Sequence, residues 1–353
     1  MKILHTADWH IGKRLHKYDL DQDFSLFVDW LVATVQAEQV DLVLVSGDIF
    51  DLANPSSEAR KLYFNTLLKL QQLNCKLILT GGNHDSPGTL NAPKSILEAL
   101  SIKVVGKATE DIKDEVFKIT INNEEIIIAA VPYLRDGDIR KAVTGESFDE
   151  LIDKYKKALV NHYKLCAEAC KLININNAPT IAMGHLFAIG GSISDSEQNI
   201  YVGSLGHIGA NDFPEYYNYI ALGHLHRPQI VGDKKNIRYS GSPNILSFSE
   251  TNYNKKVILI STKKNTIKNI EEITIPTFRK FYTLKGTIDQ CIEQFSNITS
   301  NSYQLTPWVE IILDEKNTIN TDKIKVSSEK YTFEILKISL KNQRKQKGIE
   351  ELL

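Results

Sequence analysis

The sequence has no long hydrophobic run: nowhere does it hold the roughly 18 consecutive apolar residues of a membrane-spanning helix, so no such helix is expected. It has no excess charge of either sign. Lys and Arg number 42 against 43 Asp and Glu, a formal net charge of -1, so no global basic surface announces a polyanion partner and any nucleic-acid contact must be local or metal-mediated. Cysteine is scarce and never spaced Cys-x-x-Cys. Of the four, Cys166 and Cys170 stand one helical turn apart in KLCAEACKL, which reads as the buried stripe of a helix rather than a zinc half-site. Reduced thiols point to the cytoplasm. The first residues, MKILHTADWH, lack a charged leader followed by an apolar core, so export is not expected. Internal repeats and low-complexity segments are also lacking.

What is present is an ordinary globular composition, 42% hydrophobic and 24% charged, over 353 residues. At roughly 150 residues per domain this length suggests two domains. Short runs rich in Ile, Val and Leu occur at 2–7, 41–47, 76–82, 126–133, 180–185 and 219–224. Between them FSLFVDWLVATVQAEQV and EARKLYFNTLLKLQQL carry apolar residues at three- and four-residue spacing, as helices packed on a sheet do. The alternation predicts a layered α/β architecture, whose ligands belong beyond the carboxyl ends of the strands. Around 270–284 the pattern changes to a small α+β unit with strands expected near 278–284, 307–313 and 330–338, and Pro276 marks a linker. The expected division is 1–275, 277–340 and a basic, then amphipathic tail at 341–353.

The strand ends carry the chemistry. In order they read Asp8-Trp-His10, Gly47-Asp48, Gly82-Asn83-His84-Asp85, Gly184-His185 and Gly223-His224-Leu-His226. In extended backbone, residues two apart project to one side, so Asp8 with His10 and His224 with His226 are expected to point together. Each piece alone has a bland explanation: Gly-Asp is a common turn, Asn-His-Asp a capping cluster, Gly-His a loop. Five such pieces at the exits of successive strands do not coincide by chance. Carboxylate oxygens and imidazole nitrogens suit Mn, Fe or Zn, and one carboxylate can bridge two ions.

This order of motifs resembles the calcineurin-like metallophosphoesterases. Within them DWHIGKRLH, SGDIFDLANPSSEA, GGNHDSP, GHLFAIGGSISDSEQNIYVG, ALGHLHRPQ and YSGSPNILSFSE are similar to the bacterial SbcD family of nuclease subunits, over roughly residues 1 to 255. The resemblance implies a layered sheet sandwich with a small α+β C-terminal capping domain. It implies two divalent ions, manganese, one held by Asp8, His10 and His226, the other by Asn83, His185 and His224, with Asp48 bridging. Two such ions about 3.5 to 4 Å apart clamp a scissile phosphate and make a water nucleophilic near neutral pH. His84 is implied as a catalytic residue that binds no metal and acts on the leaving oxygen. The implied function is a DNA nuclease in repair, recombination and replication: a 3'-to-5' exonuclease and an endonuclease on single strands and hairpins, partnered by an SbcC-type coiled-coil ATPase. Helices near 57–72 and 89–100, with Leu62, Leu67, Leu90 and Ile96 expected outside, would form a homodimer.

Two other functions compete with this one. A small-molecule phosphodiesterase or phosphatase on the same scaffold would not need the appended C-terminal unit. A scaffold that merely tethers DNA ends would not need the complete ligand set. Among lesser signals, His5 inside KILHTA reads as a core histidine. His16 could reach phosphate with Lys13 and Arg14, or be solvated. Archaeal relatives often carry histidine where this chain has Asp51, which stays open between a role beside the ligands and a plain loop carboxylate. The C-terminal unit is expected to contribute no ligand, and its basic run Lys337 to Lys347 could touch DNA phosphates.

Overall fold

The computed structural model describes residues 1–140, 146–189, 208–299, 303–314 and 321–341. The six apolar runs are strands, at Lys2–Thr6, Leu42–Ser46, Lys76–Thr80, Glu124–Ala130, Thr180–His185 and Tyr219–Gly223. Their near-continuous apolarity reflects parallel pairing with both faces covered.

These strands divide between two six-stranded sheets. In the first, Lys2–Thr6, Leu42–Ser46, Lys76–Thr80 and Ile102–Val105 run parallel, and the hairpin Lys256–Lys263/Thr266–Thr274 adds antiparallel beside Lys2–Thr6. In the second, Glu124–Ala130, Thr180–His185, Tyr219–Gly223 and Lys234–Tyr239 run parallel between antiparallel edges Val116–Ile121 and Gln229–Val231. The sheets pack face to face, with Ile3, Leu44 and Ile78 of one sharing a core with Ile128, Ile181 and Met183 of the other. Helices Asp21–Glu38 and Ser57–Gln71 cover the outer face of the first sheet and Phe148–Ile173 that of the second. Cys166 and Cys170 lie on the buried stripe of the last helix.

The helix expected at 89–100 is instead two short helices, Pro87–Asn91 and Lys94–Ala99, with Pro93 between them as the N-cap of the second. Two of the residues expected outside on these two helical segments are corrected as well: Leu67 and Leu90 belong to the core under the first sheet, and Leu62 packs partly against it. The apolar side chains left outside in this region are Leu52, Phe64, Leu68 and Ile96.

After Pro276 a three-stranded parallel sheet, Arg279–Gly286, Leu305–Leu313 and Glu334–Leu340, carries helices Ile288–Glu293 and Thr321–Ser328 on one face. Its other face lies on the sandwich, Phe281 and Trp308 packing against Leu20, Leu246 and Phe248. Arg279 locks the joint, its guanidinium 3.0 Å from each Asp23 carboxylate oxygen and 4.0 Å over the Trp308 ring. The Ser-Asp-Ser-Glu stretch at 194–197 and the tail after Lys341 lie outside the described residues.

Candidate metal centre

Both sheets end their parallel strands at the same edge, and the loops there meet. His224 N donates to Asp8 Oδ1 at 2.9 Å, tying the second sheet to the first. Asp8 N donates to Gly47 O and His10 N to Asp48 O, both at 3.0 Å, so the first two loops stay in register beyond their strands.

The side chains converge for a reason other than strand alternation. Asp8, His10, Asp48 and His224 have φ of 52°, 45°, 48° and 103°, so the extended backbone that predicts paired projection has already ended. Left-handed conformations outside glycine cost about 1–3 kcal/mol each and gather at functional sites. The neighbours are also cut close. A Cβ on Gly82 would lie 2.1 Å from Asp48 Oδ1, and one on Gly223 1.8 Å from Ser46 O.

Asp8, His10 and His226 bring one ligand atom each within 4.8 Å of one another, as do Asp8, Asp48 and His185, and also His10, Asp48 and His84. Asn83 Oδ1 faces His185 Nε2 at 2.9 Å and His224 Nδ1 at 3.1 Å. Asp48 Oδ2 lies 3.3 Å from His185 Nε2 and 3.5 Å from His10 Nε2. All eight residues singled out in the sequence thus fall in one cluster, and His224 and His226, two apart, serve opposite ends of it.

The cluster fits divalent cations. Asp8 Oδ2 and His10 Nε2 are buried with no hydrogen-bond partner, an arrangement that costs about 1–3 kcal/mol per group unless something else satisfies them. His185 gives Nδ1–H to Ser46 O at 2.9 Å, which turns its Nε2 toward the Asn83 and Asp48 oxygens. The two oxygens call for positive charge at this point, a proton on Nε2 or a cation in its place. Burial disfavours a proton on His185, yet Asp48 and Asp8 outweigh it and raise its pKa to about 9. Burial by itself would raise Asp48, but His185 and His10 hold it well below the carboxylate range. Burial pushes His10 down to about 4 and His224 to about 3, so both are neutral at pH 7 with lone pairs to give. With no thiolate in the set, soft ions such as Cu(I) are disfavoured.

Three carboxylates that orient this cluster were not assigned from sequence. Asp51, left open there, accepts from His10 Nδ1 at 3.1 Å and from Lys13 Nζ at 3.0 Å. Glu250 accepts from His226 Nδ1 at 2.9 Å and Lys255 Nζ at 2.7 Å. Such partners fix which imidazole nitrogen faces a metal. Asp85 accepts the backbone N–H groups of Gly82, Ile49 and Phe50 at 2.8, 3.0 and 2.9 Å, pinning the Gly-Asn-His-Asp loop to the Gly-Asp loop. The only signal for Glu250 was its place in YSGSPNILSFSE, a motif with no ligand in it.

His84 differs from its neighbours. It is half-buried, donates its backbone N–H to Asp48 Oδ1 at 2.9 Å, and turns Nδ1 to Asp51 O at 2.8 Å, leaving Nε2 as the atom able to take or give a proton. His5 is a core histidine, bonded to Tyr219 Oη at 3.1 Å and Leu222 O at 3.2 Å. His16 is exposed, with Lys337 and Glu310 of the C-terminal sheet as its charged neighbours. The one other buried group with metal-type side chains, among the described residues, is Glu115, His162 and Cys166. There Glu115 already accepts from His162 Nε2 and Thr109 N, both at 2.8 Å, as a satisfied core pair.

The family model for calcineurin-like phosphoesterases matches residues 1–228. The SbcD subunit of the SbcCD nuclease of Escherichia coli (strain K12) is 34% identical over 350 residues, 98% of this chain and 87% of that one. The SbcD subunits of Bacillus subtilis (strain 168) and Rhodobacter capsulatus are 33% and 35% identical, covering 78% and 74% of this chain and 70% and 66% of theirs. The chain belongs to the calcineurin-like phosphoesterases and, within them, to the SbcD family; it is a metal-dependent phosphodiester hydrolase.

Proposed function

We propose that this chain is the nuclease subunit of an SbcCD-type complex, cleaving DNA phosphodiesters at ends and hairpins during repair and recombination. The observation that carries it is the single cluster formed by Asp8, His10, Asp48, Asn83, His185, His224 and His226, in a chain collinear with named nuclease subunits over 98% of its length. In this reading Asp8, His10 and His226 hold one manganese ion, Asn83, His185 and His224 the other, and Asp48 both. Bound there, the ions supply Lewis-acid charge to the phosphate and make a water nucleophilic at neutral pH.

The remaining work belongs to the side chains. Asp51 and Glu250 hold the His10 and His226 rings so that their far nitrogens face inward. His84, with Nδ1 committed to Asp51 O, offers Nε2 to the leaving oxygen, where proton donation is worth roughly 100- to 10,000-fold. Chain neutrality agrees with this division, since phosphate affinity then comes from the metal site rather than from a basic face.

The same reading makes the chain a cytoplasmic homodimer that works with a coiled-coil ATPase. Support for the dimer is the pair Phe64 and Leu68, one turn apart on helix Ser57–Gln71 and both exposed. Support for the cytoplasm is the scarcity of cysteine, with Cys75, Cys166 and Cys170 held as buried thiols; no helix among the described residues is long and apolar enough to cross a membrane.

An end-labelled hairpin duplex, incubated with manganese, with and without the partner ATPase and ATP, tests the assignment. Cleavage near the hairpin, stimulated by the partner and lost with EDTA, is the expected result. Turnover confined to small phosphodiesters or phosphomonoesters would overturn it.

A further inference from the structure

The histidines of the metal cluster are supported differently. His185 leans on Ser46 O and His10 on Asp51, contacts made wholly within the sandwich. His226 leans on Glu250, and the turn that carries Glu250 lies beneath the C-terminal sheet. Glu250 is completely buried, with Oε1 2.9 Å from His226 Nδ1, while Oε2 accepts from Lys255 Nζ at 2.7 Å and Leu246 N at 3.1 Å.

Leu246 and Phe248, just ahead of that acid, pack in one apolar cluster with Phe281 and Trp308 of the C-terminal sheet. Phe248 meets Phe281 edge to face at 5.3 Å, and Phe281 meets Trp308 likewise at 5.4 Å. Phe248–Glu250 is a single tight turn closed by Glu250 N donating to Ser247 O at 3.1 Å. A turn this short cannot let Phe248 move while Glu250 stays. Packed interiors transmit such shifts because they hold no slack.

We infer that the C-terminal sheet positions the His226 imidazole through Phe248 and Glu250, so that the seating of this sheet sets metal affinity at one of two ion positions and leaves the other alone. The inference rests on the reading that Asp8, His10 and His226 hold one ion. Glu250 and Phe248 are positioning residues; neither touches substrate. Among its described residues the C-terminal unit contributes no ligand, and it still controls a ligand's geometry.

Calorimetric manganese titration of the full chain, with the Mn(II) paramagnetic resonance signal as a second readout, tests this on wild type, Glu250→Gln, Phe281→Ala and the double variant. Wild type should bind two ions. Each single variant should weaken one binding event by about 10- to 100-fold, the range for an outer partner of a metal ligand, and leave the other unchanged. The double variant should be no weaker than Glu250→Gln alone, because both act along one path. Should Phe281→Ala unfold the C-terminal sheet, Phe248→Leu loosens the contact from the sandwich side and carries the same expectation. Equal weakening of both events, or full additivity in the double variant, overturns the inference while the metal site stands. A wild type that binds fewer than two ions overturns the site reading itself.

Discussion

Asp48 Oδ2 lies 3.3 Å from His185 Nε2; Asp48 stands just beyond strand Leu42–Ser46 of one sheet and His185 ends strand Thr180–His185 of the other. The contact joins the halves of the sandwich at the point where positive charge is most favoured. Replacing Asp48 by Asn keeps the shape and removes the negative charge that His185 and His10 both face. Manganese affinity should fall by more than the roughly 10- to 100-fold that loss of an outer-shell partner brings, with activity falling in parallel. Calorimetry and hydrolysis of bis-p-nitrophenyl phosphate measure the two; unchanged metal stoichiometry and affinity would remove Asp48 from the bridging position.

Backbone crowding around the cluster gives a second prediction. Gly223→Ala would set a Cβ 1.8 Å from Ser46 O, a carbonyl that also holds His185 Nδ1, so relief must come from moving that strand end. Overpacking typically costs about 1–3 kcal/mol. Gly137→Ala, with nothing within 4 Å of its Cβ, serves as the control. Thermal unfolding should show a lowered Tm for Gly223→Ala only, together with weakened manganese binding; equal melting of the two variants would mean that the close approach is not constraining.

The strands were legible because buried parallel strands are continuous apolar runs, and DLVLVSG, KLILTGG, TIAMGH and YIALGH announce themselves without any partner in view. The hairpin at 256–274 was not, since its outer strand, TIKNIEEIT, is an exposed edge with weak alternation. The cluster was legible because each of its residues lies at the carboxyl end of a strand or within a few residues beyond it. Glu250 was not, because nothing near it in sequence records that its carboxylate meets a histidine 24 residues earlier. Leu67 and Leu90 were misplaced for a related reason: helical spacing marks an apolar face without saying which of two faces the core will take. Paired projection of Asp8 and His10 was expected from extended geometry, and the left-handed turns that bring them together are invisible to a period-two argument.

Thiol chemistry supplies a third prediction. Burial pushes Cys75 and Cys170 up to about 12, and burial with the nearby Glu115 carboxylate raises Cys166 further. Because the thiolate is the reactive form, a thiol at about 12 is ionised about one part in ten thousand at pH 8. Ellman's reagent should therefore find almost no reactive thiol in the native chain and four after denaturation. Rapid native reaction of one or more thiols would show that these sites open far more readily than their packing indicates.

His84 provides the sharpest test of the division of labour, because its ring stands 4.9 Å from that of His10 and a ligand role is geometrically within reach. Its Nδ1 is spent on Asp51 O and its side chain is half-exposed, unlike the buried His10, His185, His224 and His226. His84→Gln should keep both manganese ions and the wild-type Tm, yet cleave DNA roughly 100- to 10,000-fold more slowly, the span that general acid assistance covers. The defect should shrink on bis-p-nitrophenyl phosphate, whose leaving group departs without a proton. Were His84 a ligand, the loss would be the same on both substrates and calorimetry would show a weakened ion. Were it merely structural, packed against His10, both metal affinity and Tm would drop while the leaving-group dependence stayed flat. Only proton transfer to the leaving oxygen predicts intact metals together with a rate loss graded by leaving-group basicity.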